Sequence, residues 1–453
     1  MSGLRHAVRA LFRTPFVTVV AVVSLAFGIG ANAAIFSLFE QLLLRPLPVE
    51  APDSLVSFAA PGPKPGGTSC DSTGDCDEVF SYPMFRDLEH SHAGLSGVAA
   101  HKLVGVNLAY RGETLNSQGV LVSGGYFQVL RLTPTVGRLL RPGDDQEPGA
   151  SPVVVLGHDY WRTRFDANPD VVNQTLIVNG QAFTIIGVAP AGFNGTNVLS
   201  RPQVFVPLSM RGVLQPNFDG FEDRRSYWVY LFARLEDGVT LDQAQAAINV
   251  PYAAIINDLE VPLKEGMSEQ TMARFKTREI LVENGRRGQS DVEGDATAPL
   301  LLLFGVTGLV LLIACSNIAN LLLARGANRS GEMAVRLSLG ASRWQLVKQL
   351  LTEATVLAGM GGIAGLFVAN WTLGLIGSLL PAEALLVMTL QVEGTAILFV
   401  AALTIGTGFL FGLYPAVHST RPDLVSSLKE QAGQPAGARS ARRFRTSLAT
   451  VEI

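Results

Sequence analysis

The chain has 453 residues, 48% hydrophobic and only 16% charged, with a mean hydropathy of +0.30. This balance excludes both an ordinary soluble protein and a bare helix bundle, so part of the chain must face lipid and part must face water. A net charge of -3 and a pI near 6.1 give no reason to expect nucleic acid as a partner.

A bilayer span takes about 20 apolar residues, because lipid offers no partner to an open backbone. Residues 1–15 carry Arg5, Arg9 and Arg13 and precede the first apolar run, Phe16–Phe39. That run is about twice the length of a signal-peptide core, which favours a membrane anchor. Residues 45–295 form a long polar segment, followed by apolar runs at 296–324, 354–380 and 394–417. None of the four runs contains Asp, Glu, Lys, Arg or His, which argues against an ion-coupled transporter. Basic residues gather in 1–15, in 325–353 and in the tail 418–453, while the hairpin 381–393 has none. The expected topology therefore has four spans, both termini and the 325–353 loop in the cytoplasm, and 45–295 outside. In the last two spans, Gly361 with Gly365 and Gly408 with Gly412 have the spacing of helix-packing surfaces, although glycine is common in any membrane helix.

The external segment reads as mixed α/β. Strands are expected at 152–156, 174–178, 183–188 and 204–206, with Asn179-Gly180 turning a hairpin. Helices are expected at 82–90 and 241–259, the latter with Leu241, Ala244, Ile248 and Tyr252 at helical spacing. Residues 61–77 are rich in Gly, Pro, Ser and Asp and read as an exposed loop. Cys70 and Cys76 lie in this loop, in a compartment that permits disulfides; a bridge is the preferred reading and two free thiols the alternative. Cys315 reads as a packing residue.

Little chemistry is encoded. There is no G-x-x-x-x-G-K-[ST], H-E-x-x-H or G-x-S-x-G pattern, so no phosphate loop, zinc-protease helix or hydrolase elbow is expected, and no cofactor or metal. His90, His92 and His101 lack the pattern of a metal site. In 325–353, Ser330 suits an N-cap, Glu332 a first helical turn and Gly340 a stop; Trp344, Val347 and Leu351 then mark a second short amphipathic helix. Such a segment could present a rigid knob to a partner or hold anionic membrane lipid.

The wording of this segment separates the two. Arg325–Arg343, RGANRSGEMAVRLSLGASR, resembles the R-x-x-E-[IM]-A-[VI]-R-x-A-[LM]-G-A-x-R signature of MacB/FtsX-type ABC transporter permeases, with Ser338 in place of the usual Ala. Flanking residues 315–325 and 353–365 agree. So do SYPMFRDL at 81–88, VSGGYF at 122–127, Gly137-Arg138, and 178–190 in the external segment; Asn173 stands where the family more often has Gly. The resemblance implies four transmembrane helices with a MacB-like periplasmic domain between the first and second, in the bacterial inner membrane. It implies a cytoplasmic ABC ATPase bound in trans that supplies the ATP site, so that this chain is not itself an enzyme. Glu332, Arg336, Gly340, Ala341 and Arg343 are the positions it assigns to ATPase coupling. Arg13-Thr14-Pro15-Phe16 and Gly28-x-Gly30-Ala31-Asn32 resemble a double-length subgroup, and residues 441–448 resemble the approach to its second copy. The chain is accordingly expected to be a first half, completed by a second permease chain or a missing second half, and to work with a periplasmic adaptor. The expected function is ATP-driven export of a hydrophobic compound, peptide or lipoprotein; the alternative is an FtsX-like scaffold that activates a cell-wall enzyme.

Overall fold

The computed structural model describes residues 15–91, 93–197, 200–263, 266–290, 292–328, 335, 338–339, 342–379 and 390–419. They divide into two compact units, one spanning Leu42–Asp295 and the other combining Met1–Gln41 with Ala296–Ile453.

The first helix, α1 (Pro15–Phe39), continues as a π-turn over Glu40–Leu44. The Leu42–Asp295 unit then builds one twelve-stranded sheet: β1 (Leu55–Ala59), β2 (Gly67–Thr68), β3 (Val79–Ser81), β4 (Leu95–Tyr110), β5 (Glu113–Val122), β6 (Val136–Gly137), β7 (Val153–Leu156), β8 (Thr175–Val178), β9 (Gln181–Val188), β10 (Val204–Pro207), β11 (Ser226–Leu235) and β12 (Leu281–Asn284). Its spine is β12-β1-β11-β4-β5-β10-β7-β9-β6. The 16-residue β4 serves two neighbourhoods, because its first half pairs with β11 while Leu108 and Ala109 near its end pair with β8. Since β8 also pairs with β9, the strands β4-β5-β10-β7-β9-β8 return to β4 and close a barrel-like circuit. The circuit gives each of those strands a partner on both sides over part of its length.

Local chemistry fixes the flanking helices. At α2 (Tyr82–Glu89), Ser81 Oγ accepts from the Met84 amide and Pro83 occupies the first turn, where its missing N–H costs nothing. The segment after it includes α3 (His158–Arg164). At α4 (Leu241–Ala254), Thr240 and Gln243 cap each other reciprocally. Ala244, Ile248 and Tyr252 are buried as their spacing requires, whereas Leu241 is at the exposed edge. The α-helix stops short of the expected Leu259: Pro251 removes a helical N–H, and Ile255–Glu260 forms a π-turn instead. The α4 amides Gln245 and Asn249 bond the backbone of Ile280 and Val282 and so pin β12. The short helix α5 (Glu269–Lys276) is capped by Ser268.

Three long helices follow: α6 (Val292–Asn328), α7 (Arg343–Leu379) and α8 (Gly394–Ser419). Among the described residues, Pro15–Leu44, Thr297–Leu321 and Trp344–Leu379 are long and apolar enough to cross a membrane. The fourth expected span falls on α8, whose described apolar stretch, Gly394–Leu410, is shorter. The expected separate short helix at 344–351 is corrected: it is the first turns of α7, because nothing between Trp344 and Glu353 breaks a helix. Its faces also differ from expectation, since Leu346 and Val347 are buried and Trp344 is 70% exposed.

Candidate functional site

The segment that carries the permease signature leads directly into α7. Ser342 and Gln345 cap this helix reciprocally: the Gln345 amide donates to Ser342 Oγ at 3.3 Å, and the Ser342 amide donates to Gln345 Oε1 at 3.0 Å. Glu332, Arg336, Gly340 and Ala341 lie outside the described residues. Arg343 opens α7, but its side chain also lies outside them.

Glycines bring α7 against its neighbours at backbone distance. A Cβ added at Gly361 would sit 2.5 Å from Leu25 Cβ, and one at Gly365 would meet Ile29 and the Gly30 amide at 3.2–3.3 Å. The reciprocal position on α1, Gly30, faces the Gly365 carbonyl and Val368 at 2.8 Å. Gly408 and Gly412 of α8 lie against Ala358 and Ala354 of α7, with added Cβ atoms at 3.0 and 2.6 Å. Small residues are what permit such approach. Polar and aromatic contacts add direction. Asn32 Nδ2 donates to the Gly28 and Thr307 carbonyls, both at 2.8 Å, and Thr307 Oγ1 donates back to Asn32 Oδ1 at 3.2 Å. This clasps α1 to α6. Phe36 stacks on Phe399 of α8 with ring centroids 4.2 Å apart.

In the other unit, Cys70 and Cys76 are joined by a disulfide with Cα atoms 5.1 Å apart. The expected exposed loop at 61–77 is therefore corrected in part: Gly67 and Thr68 pair with β11, Thr73 is fully buried, and Tyr230 Oη donates to the carbonyls of Gly74 and Asp71. Behind the loop runs a buried polar chain. His101 is 1% exposed, and its Nε2 lies 2.8 Å from Gln289 Oε1. Gln289 Nε2 in turn donates to Glu78 Oε2 at 3.0 Å and more weakly to the Leu231 carbonyl. In this arrangement Gln289 Oε1 is the acceptor, which goes with the Nε2–H tautomer of His101. Burial holds the His101 pKa near 4 and raises that of Glu78 to about 7. No three His, Cys, Asp or Glu side chains among the described residues gather as a metal site. His90 caps the end of α2, and His92 lies outside the described residues.

Comparison with known families finds two domains in the chain. Residues 18–250 match the MacB-like periplasmic core domain and residues 304–424 the FtsX-like permease C-terminal domain. The chain belongs to the MacB/FtsX-type permease family. A macrolide export ATP-binding/permease protein MacB from Rhodospirillum rubrum is 26% identical over 95% of this chain and 60% of its own length. A pyoverdine export ATP-binding/permease protein PvdT from Pseudomonas syringae is 24% identical over 63% of this chain and 39% of its own. This permease chain thus spans less than two thirds of those relatives. An ABC transporter permease of Bacillus subtilis, YvrN, described as uncharacterized, is 24% identical over 68% of this chain and 69% of its own length. Among solved structures, the periplasmic region of MacB from Actinobacillus actinomycetemcomitans matches with a TM-score of 0.36 and 14% identity, over 55% of this chain and 94% of that one.

Sequence reasoning about the permease missed three features. The amide of Asn32 inside an apolar run is itself a sign of an interhelical bond. Ser342-x-x-Gln345 is a capping pattern. The His101–Gln289–Glu78 chain joins residues too far apart in sequence for any local signal.

Proposed function

We propose that this chain is the permease subunit of an ABC-type export system, energised by a separate cytoplasmic ATPase that engages residues 325–353. In this reading four helices, α8 included, cross the bacterial inner membrane, both termini are cytoplasmic, and the Leu42–Asp295 unit lies outside. The observation that carries it is the continuity of α7. One 37-residue helix starts at the end of the signature segment and lays Gly361 and Gly365 against α1, the helix that precedes the external domain in the chain. A displacement at Arg343 would thereby be passed to α1 without a hinge. The relatives' names support export as the class of activity, but the cargo differs between them, so the substrate does not transfer.

Co-purification of the membrane-extracted chain with ATPases of its host tests this. The double variant Glu332→Lys, Arg336→Glu is expected to lose an ATPase that the wild type retains; an ATPase held equally by both would overturn the placement of the interface. The FtsX-like match over 304–424 keeps a second reading open, a scaffold whose motion activates a periplasmic cell-wall enzyme. Vesicles containing the permease and its ATPase separate the two, since only the first reading expects ATP-dependent movement of cargo.

A further inference from the structure

The external unit holds a cleft of about 210 Å³, lined by Asp71, Lys102, Arg211 and Gln215, with Leu121 on its apolar side. Lys102 is committed: its Nζ pairs with Asp71 Oδ2 at 2.9 Å and donates to the Ser69 carbonyl at 2.6 Å. Arg211 is not. Its guanidinium carbon lies 3.9 Å from the centroid of Phe218 and 4.1 Å from that of Trp228, and its Nε donates to Gln215 Oε1 at 3.1 Å. The residue is only 8% exposed, and Nη1 is buried without a hydrogen-bond partner among the described residues. Burial lowers its pKa to about 10, which leaves it charged at neutral pH. Lys102 and Arg211 against Asp71 leave one positive charge in excess. A guanidinium whose Nη1 lacks a hydrogen-bond partner among the described residues is a group that a carboxylate satisfies well, because a charge-assisted N–H···O bond supplies the missing one. The aromatic rings fix the plane in which that pairing occurs. One excess charge suits a monoanion better than a phosphate dianion.

We propose that this cleft binds a small carboxylate, free or at the C-terminus of a peptide, through the Arg211 guanidinium, with Gln215 orienting it and the disulfide-closed loop at Asp71 forming the opposite wall. The site does not depend on the transport reading, and its test needs no ATPase. The full chain in lipid nanodiscs is titrated calorimetrically with N-acetylglycine, its neutral amide, inorganic phosphate, and a glycine-ended pentapeptide with free or amidated C-terminus. Saturable binding of N-acetylglycine and not of the amide is expected, at least tenfold weaker in Arg211→Gln. Because Arg211 also packs on two rings, a second variant guards against misfolding. Gln215→Glu changes an exposed residue with almost no change of volume and places an internal carboxylate within reach of Arg211; it too is expected to bind at least tenfold more weakly. Tighter binding of the free-ended pentapeptide than of N-acetylglycine would identify a peptide source, and equal or weaker binding a free acid. No saturable heat with wild type, phosphate bound as well as carboxylate, or unchanged affinity in Gln215→Glu would overturn the proposal.

Discussion

Glu78 and His101 answer pH in opposite directions while sharing one amide. Between about pH 4.5 and 7 the folded state binds a proton at Glu78 more tightly than the unfolded chain does, so this group's contribution to stability falls as pH rises. At His101 the folded pKa is near 4 against an ordinary 6.5, so its contribution is lost as pH falls through that interval. Glu78→Gln should therefore match wild type near pH 4 and exceed its stability at pH 8 by on the order of 1 kcal/mol, after allowance for the partial exposure of the carboxylate. The variant should also lose stability on acidification from pH 6.5 more steeply than wild type, because the opposing slope is gone. Denaturation midpoints from pH 4 to 8 measure both effects. In the membrane unit, Asn32→Leu removes two interhelical bonds to Thr307 and is expected to cost about 0.6–2 kcal/mol in detergent unfolding. Retained stability would show that the clasp is replaced by packing. Asn173, where the family resemblance led to Gly, has φ of 69°, a left-handed conformation that asparagine tolerates better than most side chains.

The hairpins show why some elements could be read from the sequence and others could not. Asn179-Gly180 turns β8 into β9 with φ of 49° and 80°, and the pair is the standard sequence for such a turn. The longer hairpin β4–β5 turns on Arg111-Gly112 with φ of 50° and 83°, the same geometry with an arginine where asparagine is usual. No sequence rule flags that pair, and β4, β5 and β11 went unread although they are the three longest strands. In β11, Tyr227–Leu235 is buried throughout, so alternation was absent as well. The Cys70–Cys76 pair could be read from its compartment, but the pairing of its loop with β11 could not, since two-residue strands have no periodicity. Among the membrane helices, glycine spacing alone did not tell packing glycines from others; position decides. Gly30 faces a backbone carbonyl that cannot yield, so Gly30→Ala is expected to cost about 1–3 kcal/mol. Gly374 faces open space, and Gly374→Ala should be neutral or stabilising. Thermal unfolding of the two variants side by side checks the contrast, and equal effects would refute the close contact between α1 and α7.

Whether α1 and α7 move as one body or slide past each other decides how a permease of this build could transmit a push. Sliding requires a contact that can be remade in a second register, and side chains that interdigitate loosely allow this. The contact here is of another kind: Gly30 and Gly365 approach through backbone atoms, with Leu25 and Ile29 seated against Gly361 and Gly365 on the same stripe. A shift of one turn would drive Leu25 or Val368 into positions where only glycine now fits, so the pair should travel together. An Ile29→Cys, Gly365→Cys pair tests this, because the two Cβ atoms would stand about 3.3 Å apart, near the separation of a disulfide. The background should carry Cys315→Ala, since Cys315 is buried in the same cluster. With the proposed partner ATPase present, oxidation to the crosslink is expected to leave ATP turnover unchanged, and reduction to alter nothing. Turnover that stops on oxidation and returns on reduction would mean that the two helices slide, and the continuity of α7 would then no longer support the proposed coupling.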